Sequence, residues 1–339
     1  METQRAATRG HQGARAMAMS GSNAEAEPRL PLSEVVPDGT VDPAPPPSEA
    51  WGLAEGDEIV PGRIALESLG GGYDFEAYLA WDDERYALVV AKIVRPHLVE
   101  DDHTLRNLAR EAAVLDRLAH PVIVRGFDVV PDGPRPHLVL EHLEGPTLAS
   151  TIRRFGPLEL DQVLPLGFQL SSALAYLRAV EIVHLDVKPR NVILGVPPRL
   201  IDFSVARGIE PAQRITSAIG TDAYMAPEQC DPSLGRIGPA ADVWGLGATL
   251  FHAVAGHVPF PQAEDHDEDD PRQRWPQLHA DPYELPTGTP PDLEETILDC
   301  LEFDPERRPT PAEIAVRLEP LLGNLTKGRV LGRARPSLH

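Results

Sequence analysis

Apolar positions change their period several times along the chain. Up to residue 56 they follow none. That stretch is rich in Ala, Pro, Gly, Ser and Glu and contains Pro43-Ala44-Pro45-Pro46-Pro47, the pattern of a disordered leader and linker. From about Asp57 the pattern changes. Arg63 to Leu69, Glu76 to Trp81 and Tyr86 to Val94 predict three strands joined by Gly-rich or acidic turns. Leu105, Leu108, Ala112, Leu115 and Leu118 then recur at helical spacing. His120-Pro121 ends that helix, Val122 to Val124 start another strand, and His137 to Leu140 predict one more. Leu160 to Val180 is a long helical pattern through Val163, Leu166, Leu170, Leu174 and Leu177, and a buried helix beginning at Asp242 follows Leu246, Leu250 and Val254. Between these helices, Ile182-Val183 and Val192-Ile193-Leu194 flank a polar stretch of eight residues, His184-Leu185-Asp186-Val187-Lys188-Pro189-Arg190-Asn191. The arrangement is strand, loop, strand, with charged groups held at a loop mouth.

Charge and length narrow the partners. The 339 residues suffice for two lobes with sizeable cores, and a formal net charge of -21 disfavours nucleic acid or an anionic membrane surface as main partner. No run approaches the roughly 18 apolar residues of a membrane span, and the N-terminus lacks an apolar signal core. Two cysteines, Cys230 and Cys300, do not suggest a disulfide scaffold, so a cytoplasmic protein is expected. Glu264 to Asp270 is an acidic run, expected as a solvated loop, with a docking site for basic substrates as the sharper alternative. The chain has three lysines, Lys92, Lys188 and Lys327; Arg supplies the rest of its positive side-chain charge outside histidine. A guanidinium is a different shape from a compact ammonium and cannot simply replace it, so the placing of these lysines is informative.

The polar loop suits phosphoryl transfer. Asp186 can accept a hydroxyl proton, Lys188 can neutralise charge on a moving phosphoryl group, and Asn191 can hold a metal ion. The plain alternative is a His and an Asp capping a turn. The stretch resembles the catalytic loop of the eukaryotic-like protein serine/threonine kinases, H-R-D-x-K-P-x-N, with Leu185 in place of Arg. Further motifs agree. Gly70-Gly71-Gly72-Tyr73-Asp74-Phe75-Glu76-Ala77 resembles the glycine-rich loop, with Phe75 at the third Gly and Ala77 at the usual Val. Leu200-Ile201-Asp202-Phe203-Ser204 resembles the D-F-G segment, with Ser204 for Gly, and Gly220 to Glu228 resembles G-T-x-x-Y-M-A-P-E. Asp242-Val243-Trp244 and Asp304 to Thr310 resemble D-x-W-x-x-G and D-P-x-x-R-P-T.

The resemblance covers about residues 57 to 320 and implies a two-lobed α+β kinase fold. It implies an N-lobe at 57–144 with a five-stranded antiparallel sheet and one main helix and a mainly helical C-lobe at 145–322, while composition sets a disordered leader at 1–56 and a short basic tail at 323–339. It implies an ATP-dependent protein serine/threonine kinase acting on Ser/Thr hydroxyls of proteins, itself included, with ATP and Mg²⁺ (or Mn²⁺) as cofactors and the oligomeric state open. Asp186 would be the base, with Lys188 and Thr221 beside it, and Asn191 and Asp202 would hold the metals. Lys92, paired with Glu111, would hold the phosphates under Gly70 and Gly72. The Glu141 carbonyl and Leu143 backbone would bond the adenine edge, with Leu140 as gatekeeper and Ala77, Val90 and Ile193 on its faces. Asp242 would hold the catalytic loop, and Arg308 would pair with Glu228. In relatives with Arg at position 185 that Arg pairs with a phosphorylated activation-loop residue, so Leu185 implies less dependence on phosphorylation of Thr216 or Ser217. A pseudokinase or scaffold that binds partners or nucleotide without phosphotransfer is the alternative, supported by Phe75, Leu185 and Ser204.

Overall fold

The computed structural model describes residues 50–261 and 271–333. Most of the leader, the acidic run and the last residues of the tail lie outside them. The N-terminal part is a six-stranded antiparallel sheet. Its strands are β1 (Glu58–Val60), β2 (Arg63–Gly71), β3 (Phe75–Asp82), β4 (Ala87–Val94), β5 (Gly126–Val130) and β6 (His137–Glu141), in the order β1-β2-β3-β4-β6-β5. The expected five strands become six because Glu58–Val60 folds back on Arg63 and Ile64. Alternation sets the two faces of the sheet. Val89, Ala91 and Ile93 are fully buried on the outer face with Ile59, Tyr78, Ala80 and Val139, while Val90 and Lys92 take the intervening positions. The packed chain reaches back before residue 57. Trp51 and Leu53 pack against that outer cluster, and the Trp51 indole Nε1 donates to the Val94 carbonyl at 2.8 Å.

Helix α1 (Asp102–Asp116) starts where the Asp101 side chain caps the Thr104 N–H at 2.7 Å, and it buries Leu108, Glu111, Val114 and Leu115. The strand expected at Val122 to Val124 does not form in the main sheet. These residues are buried, but their backbone bonds go elsewhere: Val124 N–H donates to the Leu200 carbonyl at 3.0 Å and Leu200 N–H to the Val122 carbonyl at 2.6 Å. The segment is committed to the residues just before Asp202, and sheet pairing resumes at Gly126.

The remainder is mainly helical. In chain order come α2 (Leu148–Phe155), α3 (Leu160–Ala179), β7 (Ile182–Val183), β8 (Val192–Ile193), β9 (Arg199–Leu200) and β10 (Arg207–Gly208). Then follow α4 (Ile209–Ala212), α5 (Pro227–Cys230), α6 (Pro239–Ala255), α7 (Pro271–Arg274), α8 (Pro291–Cys300) and α9 (Pro311–Arg333). Val163, Leu166, Leu170, Leu174 and Leu177 form the buried face of α3, which packs on α6 and α9. A Cβ on Gly167 would stand 2.9 Å from Leu318 Cδ1, so α3 and α9 approach closely there. The helix α9 continues past residue 323, where a tail was expected, and ends at Arg333. One apolar cluster runs from Phe75, Val94 and Leu108 in the N-terminal part to Leu293 and Leu318, so both parts share a core on either side of the cleft that holds the site.

Candidate active site

The site is built from short elements at the meeting of the two parts. β7 pairs with β10, and β8 with β9. These two small ribbons hold the loop from His184 to Asn191 beside the segment from Asp202 onward. The Asp242 carboxylate, in the first turn of α6, accepts the N–H groups of His184 at 2.8 Å and Leu185 at 2.7 Å. Burial pushes the Asp242 carboxyl pKa upward, against the pull of His184 and the two backbone donors. The His184 ring packs edge-on against Phe203, their centroids 4.6 Å apart. Leu185 and Asp202 have left-handed backbones, with φ of +67° and +62°, a conformation uncommon for non-glycine residues and frequent at functional sites. Neither was foreseeable from residue type.

Three donors converge on Asp186. Thr221 Oγ1 donates to Oδ1 at 2.7 Å, and Lys188 Nζ and Asn191 Nδ2 approach Oδ2 at 2.8 and 3.0 Å. Lys188 also donates to Thr221 Oγ1 at 2.5 Å. The amide nitrogen of Asn191 is therefore turned toward Asp186, and the other end of that amide is an oxygen, a ligand type for hard cations. Across the cleft Lys92 Nζ lies 3.0 and 2.8 Å from the Glu111 oxygens and 2.9 Å from Asp202 Oδ1. Burial alone pulls the Lys92 pKa down. The Asp202 and Glu111 charges and their hydrogen bonds outweigh it, and the net shift is upward. Asp202 feels burial upward first, but Lys92 and then Lys188 hold its carboxyl well below the usual range. Glu111 is 1% exposed, and burial raises its pKa despite Lys92.

The expected adenine slot is a strip of half-buried apolar residues. Val90 pairs with Leu140 and Ala77 with Lys92 across the sheet, and Ile193 lies on β8. Ala77, Val90, Leu140, Leu143 and Ile193 are all partly exposed, while Val89 and Ala91 beside Val90 are fully buried. Glu141 ends β6, and its side chain is bound by Arg199 of β9. Gly145 follows with φ +123°, and a Cβ there would meet the Leu194 carbonyl at 2.3 Å. At the other rim Gly70 has φ +92°. Gly72 N–H donates to the Phe75 carbonyl at 3.0 Å. Phe75 turns inward, 8% exposed, with its ring centroid 5.1 Å from Lys92 Nζ.

The segment from Ile219 to Cys230 is fastened from several sides. Gln229 Nε2 donates to the carbonyls of Leu185 and Ile219 at 2.8 and 2.9 Å. Arg308 makes a two-bond fork on Glu228, at 2.7 and 2.8 Å, with side-chain exposures of 0% and 1%. Asp222 accepts from Trp275 Nε1 at 3.0 Å and pairs with Arg274. Arg110 Nη2 of α1 donates to the Ser204 carbonyl at 3.0 Å. Gln229, Arg199, Arg110 and Asp222 were not singled out from sequence. The partners named here lie ten or more residues away and follow only from topology. Thr216 and Ser217 are exposed.

The donor set suits a hard divalent cation. Asp202 offers a carboxylate and Asn191 an amide oxygen. Among the described residues no three His, Cys, Asp or Glu side chains gather into a metal cage. Mg²⁺ is commonly held by one or two protein oxygens together with substrate phosphates, without a closed protein cage.

A Lys–Glu pair under a glycine hairpin faces an Asp–Lys–Asn loop across a cleft, the arrangement of the kinase fold. A family model described as "Protein kinase domain" matches residues 64–317, and the chain belongs to that family, in its eukaryotic-like serine/threonine branch. It is 35% identical over 265 residues to a probable serine/threonine-protein kinase, PkwA, of Thermomonospora curvata, covering 76% of this chain and 34% of that one. It is 34% identical over 235 residues to the serine/threonine-protein kinase PkaA of Streptomyces coelicolor, covering 67% and 42%. It is 30% identical over 255 residues to the serine/threonine-protein kinase PknB of Mycobacterium leprae, covering 71% and 39%. The chain thus spans about two fifths or less of PkwA and PknB and slightly more of PkaA. No helix among the described residues is long and apolar enough to cross a membrane.

Proposed function

We propose that this protein is an ATP-dependent protein serine/threonine kinase that transfers the γ-phosphoryl group to Ser/Thr hydroxyls of proteins, itself included, in the cytoplasm. The observation that carries this reading is the convergence of Thr221, Lys188 and Asn191 on Asp186. Three donors fix the carboxylate where it can orient a hydroxyl and take its proton. Lys188 steadies charge on the transferring group, and Lys92, set by Glu111, holds the α- and β-phosphates. Ala77, Val90 and Ile193 clasp the adenine, and the main chain at Glu141 and Leu143 bonds its edge. Asn191 and Asp202 hold Mg²⁺, which when bound neutralises charge on the phosphates. Residues 57–144, with Trp51 and Leu53 packed on them, and 145–322 are the two lobes of this enzyme.

The test is transfer of labelled γ-phosphate from ATP with Mg²⁺ to the protein and to a generic basic substrate, beside Asp186→Asn. Incorporation is expected to fall by a factor on the order of 10²–10⁴ in the variant, with nucleotide binding kept. A wild-type chain that binds nucleotide but transfers no label with any metal or substrate would sink the proposal.

A further inference from the structure

The glycine hairpin is held from behind by a buried ion pair that lies outside the cleft. Glu76 follows Phe75 on β3 and therefore faces the outer side of the sheet, next to Tyr78. Its Oε1 accepts from Arg95 Nη1 at 3.1 Å and from the Trp51 backbone N–H at 2.9 Å, and its Oε2 accepts from the Tyr78 hydroxyl at 2.6 Å. Burial and the Glu76 carboxylate push the Tyr78 phenol up to about 12, so it stays a donor. Glu76 and Arg95 are 5% and 6% exposed. Arg95 reaches further. Its Nε donates to the Gly72 carbonyl at 2.7 Å and its backbone N–H to the Asp74 carbonyl at 3.0 Å. Both carbonyls belong to the turn of the hairpin. Trp51 closes the network: its indole bonds the Val94 carbonyl, and the Arg135 guanidinium lies 4.9 Å over its ring. A buried charge pair is costly to desolvate and is held only where its geometry is complete. Here the geometry is spent on the main chain of one turn.

We propose that Glu76, Arg95 and Trp51 form a latch that positions the glycine-rich turn over the phosphates of ATP. This rests on the kinase reading above. Arg95 is a positioning residue that acts through the Gly72 and Asp74 carbonyls. The latch fixes how well the hairpin amides meet phosphate, and it leaves the adenine strip and the Asp186 loop untouched.

The experiment uses the full chain with Arg95→Met, Arg95→Lys and Trp51→Phe, the last removing the indole donor and part of the ring while keeping the backbone N–H to Glu76. ATP and adenosine affinities are measured by calorimetry, and KM for ATP and kcat by label transfer. Arg95→Met is expected to weaken ATP about tenfold, the scale of one lost charge-assisted hydrogen bond, while adenosine affinity and kcat stay near wild type. Arg95→Lys, which keeps the charge but not the planar guanidinium, falls between. Trp51→Phe shifts ATP in the same direction by less, and it carries the test if Arg95→Met does not fold. Equal loss of ATP and adenosine, or no change in either, overturns the latch. A wild-type chain that binds adenosine but shows no preference for ATP overturns the latch as well. One that binds neither overturns the kinase reading itself, a distinct result.

Discussion

Lys92 sits in an apolar strand, where an unpaired ammonium would lose its proton. Two carboxylates reverse that balance and hold its pKa above the ordinary value. A group with a raised folded pKa contributes stability that is complete below its unfolded pKa and is lost only as pH rises through the folded one. Lys92 therefore stays charged across neutral and mildly alkaline pH. ATP affinity is expected to stay flat from about pH 7 to about pH 9, short of the ordinary lysine value. A decline in that window, measured by calorimetry and absent in Lys92→Arg, would contradict this. Asp202 has the opposite sign: its depressed carboxyl contributes stability above the ordinary aspartate value, lost as pH falls below it. Much at this scale was legible. A lone lysine in an apolar run demanded a partner, and a glutamate beside the next helical stripe supplied one. The second partner, Asp202, lies 110 positions away, and no local pattern could tie it to Lys92.

Among the elements, the least legible were those made by short, distant pairings. Val122 to Val124 has the composition of a strand, yet its hydrogen bonds go to Leu200 because the backbone preceding Asp202 needs a partner there. The left-handed Leu185 is buried, 3% exposed, within the main core. Long periodic elements such as α3 were read to within a residue or two. The Arg308–Glu228 fork ties α5 to the loop before α9, with Arg308 also donating to the carbonyls of Ala240, Glu302 and Phe303. Removing one partner leaves a buried charge uncompensated. Arg308→Met is expected to destabilise the protein by about 3–5 kcal/mol, read from the urea midpoint. Arg308→Met with Glu228→Gln should recover part of that loss. A change below about 1 kcal/mol, the range of surface pairs, would count against the buried fork.

At the scale of the molecule, the question is what switches the protein on. Thr216 and Ser217 are exposed on the segment between Asp202 and Glu228. At position 185 an apolar side chain in the core offers a phosphate no partner. Thr216→Ala with Ser217→Ala is therefore expected to keep substrate phosphorylation within about threefold of wild type, less than one hydrogen bond to a charged group. Abolition of label transfer by the double substitution would show that loop phosphorylation is required. The outer boundaries were less legible than the lobes. Composition ends the leader at residue 56, but Trp51 already contacts the sheet, because a single aromatic carries little weight in a window of Pro, Ala and Gly.

The scarcity of lysine has a chemical consequence. Arginine bears almost all the fixed positive charge of this protein, and guanidinium groups do not react as nucleophiles at neutral pH. Of the three side-chain amines two are Lys92 and Lys188, both engaged by carboxylates in the cleft. Acetyl groups, activated esters and aldehydes, which mark the general surface of a lysine-rich protein, find few targets here outside the cleft. Acylation of either cleft amine would strand a carboxylate. With Lys92 held protonated between two carboxylates, such reagents find few reactive side-chain amines on this chain.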